Sequence, residues 1–146
     1  MKNIEKIGLV ILLMIMSAGN VAAQGRGGFD PARFKAELHQ FITVEACLTP
    51  SEAAAFFPLY DQLNQKQRVL YDQIRELKRV KPADEVGCKK VIAEIDRLEL
   101  EIKQLQSTYH TKFLAVIPAS KLYDVINAEG KFHRRAMRNA ARPGRR

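Results

Sequence analysis

Cys47 and Cys88 are the only cysteines of this 146-residue chain, and His39, His110 and His133 are its only histidines. Thiol redox chemistry, metal ligation and imidazole catalysis would all have to draw on these positions. A zinc site needs Cys or His donors at dense, regular spacing. The best local pair is Glu129 with His133, one helical turn apart, and that spacing suits a surface ion pair better than a metal site. No metal and no cofactor is therefore expected. Ser51, Ser107 and Ser120 lie in helix-start or helical contexts without a nucleophile motif or a companion base, and no glycine-rich phosphate loop is present. No catalytic residue is nominated, and the protein is not expected to be an enzyme.

Binding is the chemistry that remains, and compartment and charge narrow the partner. Residues 1–23 have a basic start at Lys2 and Lys6, an apolar run from Ile7 to Met16 and small residues at Val21, Ala22 and Ala23. That is the layout of a secretory signal, with cleavage expected after Ala23. The apolar run is too short to favour a membrane span, which needs roughly 20 residues. The full chain carries a net charge of +8, of which the leader contributes one unit through Lys2 and Lys6 against Glu5. All of the remainder sits at the other end. From Lys131 onward there are cations at Lys131, Arg134, Arg135, Arg138, Arg142, Arg145 and Arg146 and no acid. A basic segment of this kind attracts any polyanion, so it gives no reason to expect specific nucleic-acid recognition.

The elements that would carry a binding surface are helical throughout. Apolar positions at Val91, Ile95, Leu98, Ile102, Leu105, Tyr109, Phe113 and Val116 recur in steps of three and four. A second seam runs through Ala53, Phe56, Tyr60, Leu63, Leu70, Ile74 and Leu77. Between them "KRVKPADEVG" supplies Pro82 and a cap at Asp84, which predicts a long antiparallel helical hairpin. Ahead of it "CLTPSE" predicts a capping box, in which Thr49 accepts from the amide of Glu52 and the Glu52 carboxylate reaches back, with Pro50 at the first helical position. A shorter helix is expected over residues 31–46, with Phe34, Leu38, Phe41 and Ile42 on one face. Pro58 predicts a kink two turns into the second helix, and Pro118 a break after Ile117. A last helix is expected from Ala119 to Asn139, with Leu122, Tyr123, Ile126 and Phe132 as its apolar residues. The fold class is all-α, an elongated, curved bundle of about four helices built around the hairpin. The domain plan is a leader (1–23), a flexible start (24–29), a helical domain (30–139) and a disordered basic tail (140–146).

"LTPSE", Leu48 to Glu52, resembles the LTxxQ motif of the Spy/CpxP-like periplasmic proteins, with Glu52 where that family usually has Gln. The family's second motif copy is reduced here to "VIPASKL", so the resemblance is to a distant branch. It implies a periplasmic protein, often an antiparallel homodimer, that binds unfolded or stressed envelope proteins without ATP. Some relatives instead sense stress or bind metal, which leaves a regulatory protein acting on a membrane signalling partner as the alternative. A third option is a trimeric helical chaperone of the Skp type. For client binding the relevant residues are Phe56, Phe57, Tyr60 and Tyr71, because one helix seam cannot bury them all. Lys66, Arg68, Arg75 and Lys78 would form the basic rim. The competing expectation is that these aromatics bury against the first and last helices.

Cys47 precedes the second helix and Cys88 follows it, so a straight helix holds them tens of ångströms apart, against the 7 Å or so that a disulfide tolerates between α-carbons. No intramolecular bond is expected. In an antiparallel dimer Cys47 of one chain would approach Cys88 of the other, while the alternative is two unused thiols.

Overall fold

Four helices follow one another along residues 30–140, the part that the computed structural model describes: α1 (Pro31–Glu45), α2 (Pro50–Arg79), α3 (Glu85–Leu114) and α4 (Ala119–Ala140). Among the described residues there is no strand, and the all-α expectation holds. The expected leader with its cleavage after Ala23, the flexible start and the basic tail beyond Ala140 lie outside the described residues.

Local chemistry sets each boundary. At the end of α1 the Leu48 amide donates to the Thr43 carbonyl at 3.0 Å and the Cys47 amide to the Val44 carbonyl at 3.3 Å. This double closure is a Schellman motif, and it places Cys47 in the left-handed region with φ 48°. Glycine is the usual occupant of that position; a side-chain-bearing residue costs about 1–2 kcal/mol there. Burial of Leu48 against the end of the helix offsets part of that cost. Immediately afterwards the capping box forms as the sequence predicts. The Thr49 hydroxyl accepts from the Glu52 amide at 3.3 Å, and the Thr49 amide donates to the Glu52 carboxylate at 2.8 Å. α2 then runs unbroken through the exposed Pro58.

The turn between α2 and α3 is closed by Asp84, whose carboxylate accepts from the Gly87 amide at 2.6 Å. Gly87 is required by close approach, since a β-carbon there would lie 2.9 Å from the β-carbon of Pro82. α3 ends at Leu114, and Pro118 separates it from α4.

The core divides in two along the hairpin. At the four-helix end, Leu38 and Ile42 of α1, Phe56, Tyr60 and Leu63 of α2 and Tyr109 and Phe113 of α3 pack with Leu122, Val125 and Ala128 of α4. At the two-helix end only α2 and α3 contribute, with Leu70, Ile74, Leu98 and Ile102 buried and Leu77 and Ile95 packed beside them. Leu105 packs against both clusters and joins them. The seams of α2 and α3 are those the sequence predicts. The inner face of α4 differs: Leu122, Val125 and Ala128 point inward, with Phe132 packed beside them, whereas Tyr123 and Ile126 point out. Steps of three and four from Leu122 select the smaller Val125 and Ala128, so helical register rather than side-chain size decides the buried face.

Candidate docking groove

Past Leu63 a groove of about 980 Å³ opens between α2, α3 and α4. Arg68, Tyr71, Arg75 and Lys78 line its α2 wall. They recur at steps of three and four and therefore share one helix face. Lys103 and Gln106 come from α3, and His133 and Met137 from α4. Tyr71 is 52% exposed although it is a large aromatic. It also lines a second hollow, of about 530 Å³, with Leu100, Ile102 and Lys103, and there Leu100 is 72% exposed. Tyr71 is thus shared by both hollows, beside Ile74 and Met137 in the larger and Leu100 and Ile102 in the smaller. Around the larger groove cations outnumber acids, with Arg68, Arg75, Lys78 and Lys103 against Asp72 and Glu129, whereas Asp96 and Glu99 line the smaller hollow. Arg75 pairs with Asp72 at 2.9 Å, while Glu129 is held by the Tyr60 hydroxyl, which donates to it at 2.8 Å.

Four of the eight residues expected to bind clients come together here: Tyr71, Arg68, Arg75 and Lys78. Lys66 is exposed but lies outside the groove. Phe56 and Tyr60 are corrected to core residues. Phe56 is 0% exposed, with its ring centroid 4.8 Å from that of Phe113 and 5.5 Å from that of Tyr60. Burial, and then the charge of Glu129, push the Tyr60 phenol above its ordinary range, so the hydroxyl stays a donor. Phe57 is half-buried: the His39 ring stacks on it at 4.1 Å and 17°. His39 and Lys35 of α1 in turn reach Asp61 of α2 at 2.9 and 2.7 Å. α1 therefore covers Phe57, and α4 covers Tyr60.

The motif residues Leu48, Thr49, Pro50 and Glu52 lie away from the groove, at the four-helix end. Lys121 of α4 donates to the Glu52 carboxylate at 2.6 Å and to the Cys47 carbonyl at 2.9 Å. One ammonium thus ties the end of α1 to the start of α2 from a third helix. The Lys121 hydrogen bond, followed by that of the Thr49 amide, holds the Glu52 carboxyl below its ordinary value of 4.5. A folded-state pKa below the unfolded one means stability that is present above pH 4.5 and lost as pH falls through the folded value. Thermal melts of the native chain and of Glu52→Gln should therefore differ at neutral pH, with the native chain higher, and converge in acid. A gap that persists unchanged at low pH would count against the pairing.

Cys47 is exposed and Cys88 half-buried, both free, at opposite ends of the 30-residue α2. His133 lies 3.9 Å from Glu129, and among the described residues no three Cys, His, Asp or Glu side chains gather closely enough to hold a metal ion. Among the described residues, no helix is long and apolar enough to cross a membrane.

Sequence reasoning missed Lys103, Gln106, Met137 and Leu100 in the groove and its neighbouring hollow. Leu100 carried a usable signal, because it is a large apolar residue off the Leu98–Ile102 seam of α3. Lys121 carried none, since its partners lie 69 and 74 residues away. No protein-family model matches this chain, and no curated protein or solved structure matches it either.

Proposed function

We propose that this protein is an ATP-independent holdase of the periplasm, binding extended segments of unfolded envelope proteins along the Tyr71 groove. The observation that carries this is the half-exposed Tyr71, shared by a groove that holds Ile74 and Met137 under a rim of Arg68, Arg75, Lys78 and Lys103 and by a smaller hollow that holds Leu100 and Ile102 beside Asp96 and Glu99. Two packed helices bury only the stripes that face each other, so further apolar residues on them remain in water. Large apolar side chains left exposed within a polar rim are a usual mark of a binding site. The cations would speed encounter with acidic clients and neutralise client carboxylates, without requiring any one sequence. The resemblance of Leu48 and Thr49 to the Spy/CpxP-like motif, with Glu52 in place of its Gln, favours the same function.

The test follows light scattering of a chemically denatured client diluted into buffer with residues 24–146 and no nucleotide. The native chain is expected to suppress aggregation near stoichiometric ratios. Tyr71→Ser combined with Leu100→Ser should abolish most of that suppression while leaving helix content and melting temperature nearly unchanged, because both side chains are already exposed. No suppression by the native chain across several clients would replace the holdase with a regulatory protein acting on one membrane signalling partner.

A further inference from the structure

We propose that the outward face of α4 docks the protein onto an anionic lipid bilayer surface. The inner side of α4 is spent on the core through Leu122, Val125 and Ala128. Its outward side ought then to be polar, as in an ordinary amphipathic surface helix. Instead Tyr123 is 68% exposed, Ile126 44% and Met137 72%. At 100° per residue these three and Arg134 fall within a single outward sector, with Arg138 along its flank, while Lys131 is taken up by Glu45 of α1 at 2.7 Å.

The spacing from Tyr123 to Met137 makes a strip about 21 Å long. The exposed acid of α4 is Asp124, at the far edge of the sector, while Glu129 turns inward to Tyr60. Beyond the strip the sequence adds Arg142, Arg145 and Arg146 without an acid.

Aliphatic and aromatic side chains beside cations, with acids excluded, match the boundary between lipid headgroups and acyl chains. The cations meet headgroup phosphates, and the apolar side chains sink below them. Nucleic acid would use the same cations but has no place for Ile126 and Met137, so lipid is the better fit to the apolar part of the strip. The site is separate from the holdase groove except at Met137, which borders it.

The test is cosedimentation of residues 24–146, which contain the whole compact unit beginning at Ala32, with two kinds of vesicle. One is pure phosphatidylcholine, and the other a mixture with phosphatidylglycerol. The protein should pellet with the mixed vesicles only, and less so as salt rises. Tyr123→Ser with Ile126→Ser should lower partitioning about tenfold. Arg134→Gln and Arg138→Gln should cost roughly fivefold each. The serine pair lies outside the groove, so aggregation suppression and melting temperature should stay as in the native chain. Failure to pellet with anionic vesicles would overturn the proposal. So would pelleting that survives the serine pair, since charge alone would then suffice, and so would a duplex DNA oligomer that displaces the protein from vesicles and binds the serine pair undiminished.

Discussion

Phe56→Ala is expected to destabilise the four-helix end by about 3–5 kcal/mol, the largest loss available to a single truncation here. Phe56 is fully buried, and its ring lies against Phe57, Tyr60 and Phe113. Removing it withdraws a contact from α3 and leaves a cavity where α1 and α4 also converge, so the surrounding helices cannot all close on the space at once. Against a total stability of order 5–15 kcal/mol for a domain, a loss of this size leaves a large unfolded fraction on mild heating. Urea unfolding followed by helix content should show a midpoint shifted far down with an unchanged slope. A shift under about 1 kcal/mol would mean that Phe56 faces solvent or a soft site, contrary to its placement in the core.

Leu98→Ala should be as damaging in kind but confined in place. At the two-helix end the core is only Leu70, Ile74, Leu98 and Ile102, and Leu98 is among the most completely buried side chains of the molecule. Truncation there should cost about 2–5 kcal/mol, and no third helix is available to settle into the gap. Amide exchange should accelerate around residues 68–78 and 94–103, while amides near Phe56, Tyr60 and Phe113 keep their protection. Aggregation suppression should fall with it, because the α2 and α3 walls of the groove are held in place by this cluster. Uniform loss of protection along the chain would instead show the two clusters to be one cooperative unit.

These two substitutions also mark what the sequence discloses. The α2 and α3 seams, the capping box at Thr49 and Glu52, the Asp84 cap and the stop at Pro118 are local signals, each decided within a turn or two of chain. The hairpin was legible from them. The fates of Phe56, Tyr60 and Tyr71 were not, because periodicity assigns a face to each helix without saying how many neighbours cover it. Phe56 and Tyr60 lie where α1 and α4 add buried residues to the core, whereas beside Tyr71 the buried cluster comes from α2 and α3 alone and α4 reaches only the rim of the groove, through His133 and Met137. That difference turns one apolar seam into buried core at one end and exposed surface at the other. Lys121 was illegible for a related reason: an ammonium that joins a carbonyl and a carboxylate from distant segments leaves no trace in spacing.

The join at Leu105 between the two clusters bears on the order in which the chain folds. Near the Val80–Asp84 turn, α2 and α3 meet across short loops. Further up, the Tyr109–Gln62 hydrogen bond spans 47 residues and the Lys121–Glu52 bond 69. Short loops close at lower entropic cost, so the hairpin is expected to zip upward from the turn, pass Leu105, and receive α1 and α4 last. The end that forms first is also the end with the smaller core, and it should therefore be the first to open. On the holdase reading proposed above, a groove built there would come apart and re-form while the larger cluster stays intact, so that a client is released without global unfolding and without a nucleotide.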